Sequence, residues 1–387
     1  MKRGLSGTYS TDLTSGEAVN AFIPKELPPE PKIEWVPDLA RLHEQGIAAI
    51  GRLDGVLPML PDSTLFLYSY VRKEALLSSQ IEGTQSSLTD LFAYEAGEDH
   101  GFNFDDVKEV SNYVLAMEHG VRRLREGFPI SNRLLCEVHQ ILLSSGRGEN
   151  KHPGEFRKSQ NWIGGTRPGN AHFVPPPHLA VPECMAALER FIHDDPRWTS
   201  TIVKAALAHL QFETIHPFED GNGRVGRLLI TLILCSEGFL REPLLYLSLY
   251  LKENRSRYYE LLQKVRMEGD WEEWLQFFFT GVAASANEAA LTAQALLKLF
   301  AVDRNQIQEL GHRGSTALQV HHEFQRTPLL TVGQLIKRVK LTAPTVHKAV
   351  GKLVSLGIIA ESTGRKRDRL FVYSKYLARL QEGTAPL

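Results

Sequence analysis

Apolar residues recur at intervals of three and four along most of the chain, the period of an amphipathic helix. Val107, Val110, Val114, Met117, Val121 and Leu124 form one such stripe. Leu134, Leu135, Val138, Ile141 and Leu142 form another behind Ser131, a residue type that caps helix N-termini. The pattern predicts further helices near 38–52, 63–83, 87–96, 178–193, 199–215, 224–237, 254–268 and 271–300, so the body is expected to be mainly α. Two stretches depart from this rhythm. Residues 1–34 are polar and carry Pro24, Pro28, Pro29 and Pro31, which predicts an extended arm whose Ala21-Phe22-Ile23 is free to dock. Between Gly154 and Pro177 two short apolar stretches flank a turn rich in Gly, Pro and Asn, the pattern of a β-hairpin.

From about residue 314 the pattern changes again. Thr331 opens a helix through Leu335, Ile336 and Val339; a turn at Lys340-Leu341 leads to a second helix from Thr342 carrying Val346, Val350, Leu353 and Val354. Residues 358–360 and 370–373 can pair as strands around a basic loop, 362–369. Helix, turn, helix and basic hairpin resemble a winged helix, a module that often reads DNA in the major groove. Lys348 and Lys352 on the second helix, with Arg365, Lys366 and Arg367 at the wing tip, are the candidate DNA contacts; protein contact or dimerisation is the alternative use. Charge supports a distinct terminal module. From Thr331 onward eleven Lys/Arg face three Asp/Glu, while the whole chain is nearly neutral at −1, so the preceding body is acidic. The expected organisation is an arm (1–34), an N-terminal helical region (35–105), a core (106–300) containing the 154–177 hairpin, and a linker with winged helix (301–387).

Bulk properties narrow the class without naming the chemistry. A chain of 387 residues can build two or three cores. Its three cysteines, Cys136, Cys184 and Cys235, are far apart in apolar helical contexts, which fits reduced buried thiols and neither a metal site nor a disulfide framework. No hydrophobic signal core or membrane-length apolar run is present, so a cytoplasmic protein is expected.

The chemistry concentrates in His216-Pro217-Phe218-Glu219-Asp220-Gly221-Asn222-Gly223-Arg224-Val225-Gly226-Arg227. A glycine-flanked turn feeding an apolar helix presents unpaired backbone N–H groups to an oxyanion. Two arginines add phosphate-binding forks. A carboxylate among such cations suggests Mg²⁺ carried with nucleotide phosphates. The string resembles the signature of the Fic (Fic/Doc) family, His-Pro-Phe-x-Asp-Gly-Asn-Gly-Arg-x-x-Arg, at every specified position. The resemblance implies a Fic-fold helical bundle that transfers AMP from ATP to a hydroxyl of a target protein. His216, the one residue of the loop able to take a proton near neutral pH, is then the general base. Asp220 holds Mg²⁺; Gly221, Asn222 and Gly223 supply backbone donors, with the Asn222 side chain adding one. Arg224 and Arg227 clamp the phosphate tail, Arg227 nearest the γ end, with Val225 and Gly226 between them. The 154–177 hairpin becomes the family's flap, which pairs with a target peptide by strand addition. Tyr258 and Tyr259 cannot share one helix face, and Tyr259 is favoured to line the adenine pocket opposite Ile163 and Gly164 of the flap.

Upstream lies Ser78-Ser79-Gln80-Ile81-Glu82-Gly83. Ser78 and Glu82 share one helix face, and Gly83 suits a helix stop. The hexapeptide resembles the family's inhibitory motif, whose glutamate pairs with the second signature arginine, here Arg227. That implies a self-restrained enzyme, for which self-modification and a homodimer that buries Glu82 are natural accompaniments. Rival readings are a phosphate-transferring relative, a hydrolase that strips AMP with Glu82, and an ATP-sensing DNA-binding regulator.

Overall fold

The computed structural model describes residues 2–12, 18–56, 64–98, 103–193, 199–365 and 368–386. The expected extended arm is instead a hairpin, in which β1 (Gly7–Asp12) pairs antiparallel with β2 (Val19–Pro24). Docking explains the difference. Val19, Ala21 and Phe22 are buried, and the Phe22 N–H donates to the Val174 carbonyl at 2.9 Å, so the arm is held by the segment expected to form the flap.

Helices α1 (Pro37–Asp54), α2 (Thr64–Ile81), α3 (Leu88–Glu95), α4 (Phe104–Arg125) and α5 (Asn132–Leu142) follow the sequence periodicity closely. Ser131 caps α5 as expected, its Oγ accepting from the Leu134 N–H at 3.3 Å. The core continues through α6 (Val181–Ile192), α7 (Thr201–Ile215) and α8 (Asn222–Ser236). Every residue of α7 is buried, which suits a helix wrapped by neighbours on all sides. Two of its polar side chains are bonded to neighbours: Lys204 Nζ to Glu237 at 2.7 Å, and the Gln211 amide to the Lys25 carbonyl at 2.8 Å. Helices α9 (Ser248–Glu253), α10 (Arg255–Glu268) and α11 (Trp271–Gln308) complete this layer, α11 lying along α1.

The expected linker at 301 does not exist as such, because α11 runs on to Gln308. Beyond it come α12 (Ser315–Arg326), β3 (Leu329–Thr331), α13 (Val332–Val339), α14 (Ala343–Ser355), β4 (Ala360–Glu361), β5 (Leu370–Val372) and α15 (Ser374–Leu380). The three strands order as β3-β5-β4, the winged-helix arrangement. This module is docked on the body: Tyr376 shares a 2.7 Å hydrogen bond with Ser69 of α2, and the Gln381 amide donates to Thr89 of α3 at 2.8 Å.

The three cysteines are free and half-buried. Burial pushes Cys136 and Cys184 up to about 11 and Cys235 up to about 12, so their thiols stay protonated and unreactive at neutral pH. Among the described residues no helix is long and apolar enough to cross a membrane.

Candidate active site

The signature forms the corner between α7 and α8. His216 ends α7 in the left-handed region, φ 50° and ψ 60°, and Pro217 prevents the helix from continuing. Phe218 is fully buried and stacks on His139 with ring centroids 3.8 Å apart. His139 is fixed on both sides: its Nδ1 accepts from the Gly154 N–H at 2.8 Å, and its Nε2–H donates to the Asp220 carbonyl at 3.0 Å. Burial pushes it down to about 4, so it is a neutral brace under the loop.

Gly221 takes φ 76° as the residue before α8, a conformation that glycine adopts without strain. The first bond of α8 runs from Val225 N–H to the Gly221 carbonyl, so the N–H groups of Asn222, Gly223 and Arg224 precede the helical ladder. The Asn222 side chain differs from expectation. Its oxygen accepts from the Phe218 N–H and its nitrogen donates to the Phe218 carbonyl, both at 2.8 Å, so it staples the loop and is not free for a phosphate. Val225 is wholly buried and supplies packing only.

A cavity of about 900 Å³ opens beside this corner. His216, Gly223, Arg227 and Glu82 line it, together with Tyr259, Ile163, Gly164 and Trp162. His216 faces the cavity while its Nδ1 is buried. Burial first, then the Arg157 and Arg266 cations, push its imidazole down to about 3, which keeps it unprotonated and able to accept a proton. Tyr258 is buried and bonded through its hydroxyl to His209 at 2.9 Å, whereas Tyr259 is 42% exposed. Both tyrosines line the cavity, Tyr258 from a buried position and Tyr259 from an exposed one, which differs from the expectation that only one of the pair faces it.

The two signature arginines part company. Arg227 is buried against the end of α2. Its Nε donates to Ser78 Oγ at 2.8 Å, and one terminal nitrogen donates to the Ser78 carbonyl at 2.9 Å and to Glu82 Oε1 at 2.7 Å. Glu82 stands just past the end of α2, its side chain 37% exposed, and Gly83 turns the chain at φ 100°. Burial alone would raise the Glu82 carboxyl, but Arg227 holds it below the usual carboxylate range. Arg224 does not line the cavity in this structure, contrary to the expected phosphate clamp. It is directed to Glu109 of α4 at 3.3 Å and lies 3.7 Å from Asp220.

Gly223 and Gly226 are small because the space is taken: a Cβ would stand 2.2 Å from Glu82 Oε1 at the first and 2.3 Å from Glu213 Oε1 at the second. Asp220 is half-exposed, with one oxygen accepting the Gly221 N–H at 2.6 Å. Among the described residues no three metal-ligating side chains cluster. A lone carboxylate fits a hard cation held mostly by phosphate oxygens and water.

The segment expected to form the flap is barer than a two-stranded hairpin. Its pairing reduces to one antiparallel bridge, Ile163 with Phe173, because Gly164 and Gly165 take positive φ and a 3-10 turn occupies Pro168–Asn170. Sequence reasoning missed Arg157, His139, Glu109 and Arg266 as braces of the site, because apolar spacing predicts helices and not the distant partners of their polar residues. On the winged helix Lys348 is exposed and Lys352 half-buried. Arg365 is exposed but tied to Glu98 of the body at 2.7 Å, which differs from a free wing tip; Lys366 and Arg367 lie outside the described residues.

Residues 40–122 match the Fic/DOC family N-terminal domain, residues 129–234 the Fic/DOC family domain, and residues 315–360 a winged helix-turn-helix DNA-binding domain. The protein adenylyltransferases Fic of Drosophila sechellia and Drosophila melanogaster are each 34% identical over 179 residues, covering 46% of this chain and 33% of theirs. The chain thus spans about a third of the length of these curated relatives. A crystal structure of a Fic family protein from Desulfovibrio desulfuricans G20 superposes with a TM-score of 0.56 at 20% identity, covering 90% of this chain and 98% of that one. That likeness establishes the fold.

Proposed function

Since the chain belongs to the Fic/DOC family, we propose that it is a protein adenylyltransferase, moving AMP from ATP to a Ser, Thr or Tyr hydroxyl of a target protein and restrained by its own Glu82. The observation that carries this reading is the convergence, around one cavity, of a neutral imidazole, helix-start N–H groups and an arginine already held by a carboxylate.

His216 accepts the proton of the incoming hydroxyl as its oxygen attacks the α-phosphorus, and diphosphate leaves. The N–H groups at the start of α8 receive the developing negative charge, a preorganised arrangement suited to an oxyanion. Asp220 would hold Mg²⁺, which neutralises phosphate charge when bound. Arg227 would take the far phosphate once Glu82 releases it, and Tyr259 with Ile163 and Gly164 would flank the base. The target segment would lie along the flap, whose thin pairing leaves backbone groups for strand addition.

The test uses labelled ATP with Mg²⁺. Glu82→Gly is expected to raise self-labelling and target labelling well above the parent, and His216→Ala in that background to abolish it. Equal labelling by Glu82→Gly and the parent removes the brake from the account; equal labelling with and without His216 removes the mechanism. For the winged helix, the matching domain supports DNA binding through α14, which predicts retention on DNA that weakens steeply with salt.

A further inference from the structure

Arg157 is only 3% exposed, yet its guanidinium has no carboxylate among its hydrogen-bond partners in the described residues. All three are main-chain carbonyls. Nε–H donates to His216 at 2.9 Å, and the terminal nitrogens donate to Ser159 at 3.0 Å and to Pro176 at 2.5 Å. The Arg157 backbone N–H adds a fourth bond, to the Pro217 carbonyl at 2.9 Å. Burying a cation without a counter-charge is costly, and a fold seldom keeps one for packing alone. What the arginine supplies is a rigid fork of donors aimed in several directions at once. Here the fork joins the rising arm of the flap, its returning arm and the catalytic corner. His216 itself sits at φ 50°, a conformation sparsely populated by residues with a side chain, so its backbone must be held from outside.

We propose that Arg157 is the positioning residue for His216, locking the backbone of the general base to both arms of the flap. Arg157 does not line the cavity, so it acts through His216 and not on the nucleotide. The link has an electrostatic side. The charged groups acting on His216 are the cations Arg157 and Arg266 and the carboxyl of Glu82, with the Glu213 main chain adding a hydrogen bond and burial outweighing them all. Removing the Arg157 charge makes the imidazolium easier to form. The acid limb of the rate profile then moves to higher pH, an effect that packing alone does not produce.

The kinetic arm of the test rests on the adenylyl-transfer reading; the spectroscopic arm does not. In the Glu82→Gly background, Arg157→Met and Arg157→Lys are compared for self-labelling with ATP and Mg²⁺. Arg157→Met is expected to lower kcat by roughly 100-fold, the scale of a misplaced reacting group. Its KM for ATP should stay close to that of the background, and its acid limb should move to higher pH. Arg157→Lys, which keeps the charge, should keep the acid limb in place and recover part of kcat. An unchanged kcat overturns the proposal, and so does a loss of kcat matched by an equal loss of ATP affinity with the acid limb fixed. If Arg157→Met does not fold, Arg157→Lys carries the same kcat comparison. Separately, the ¹⁵N resonances of the His216 ring, assigned with His216→Ala, should move in either Arg157 variant; unmoved resonances overturn the proposal. Should Glu82→Gly label nothing, the transfer reading falls and the ring spectrum alone decides the role of Arg157.

Discussion

Arg227 spends three hydrogen bonds, from Nε and one terminal nitrogen, on α2 and the turn that ends it, through Ser78 twice and Glu82 once. Such a pair responds to pH in a definite direction. The Glu82 carboxyl sits below its ordinary value of 4.5 in the folded protein, so the pair is fully formed above that value and is lost only as pH falls through the lower native one. The ratio of Glu82→Gly to parent labelling is therefore expected to stay level between about pH 6 and pH 9. A ratio that collapses on mild acidification would assign the brake to another group. Gly226 gives a second residue-scale expectation. An added Cβ meets Glu213 Oε1 at 2.3 Å and Phe212 Cδ1 at 3.2 Å, so the buried Glu213 side chain must shift within a filled core. Gly226→Ala should cost about 1–3 kcal/mol of stability by urea unfolding, the usual range for overpacking a filled core.

At the scale of elements, the helices were legible because each buries one face and so repeats its apolar residues at the helical period. The signature was legible because its chemistry is contiguous in sequence. The rest depends on partners distant along the chain. Nothing in Gly154–Pro177 reveals that Arg157 reaches His216, 59 residues away, or that Asn222 is consumed inside its own loop. Arg224 reads as a phosphate ligand until Glu109, 115 residues earlier, is seen beside it. The N-terminal hairpin was hidden for the same reason, since its β2 strand is docked on a segment about 150 residues away. Phe22 is fully buried with its ring 5.9 Å from Phe173 of the flap. Phe22→Ala is expected to cost about 3–5 kcal/mol. It should also speed hydrogen exchange at the Ile163 amide, which bonds the Phe173 carbonyl at 2.8 Å. Unaltered exchange at Ile163 would mean that the flap stands without the hairpin.

At the scale of the whole molecule, the segment after the winged helix meets the end of α2 beside Glu82. Gln80, two residues before Glu82, is fully buried; its amide nitrogen donates to the Ser86 carbonyl at 3.1 Å and to the Thr384 carbonyl at 2.9 Å. Its oxygen accepts from Lys252 Nζ at 2.6 Å, and the same ammonium donates to the Ala385 carbonyl. One side chain of α2 is thus held by the segment after α15 and by the helix that precedes the tyrosine pair. The energetics favour a coupled response, because a buried amide stripped of its partners loses about 1–3 kcal/mol. Part of that loss falls on the end of α2 that presents Glu82 to Arg227. Gln80→Leu is therefore expected to raise labelling roughly tenfold, equivalent to about 1.4 kcal/mol of weakened brake. The discriminating measurement is the double variant. If Gln80 acts through Glu82, Gln80→Leu adds nothing in the Glu82→Gly background, since the restraint it loosens is already gone. Equal increments in both backgrounds would mean that Gln80 acts on the cavity directly, and the winged helix would then have no mechanical hold on the proposed restraint at Glu82.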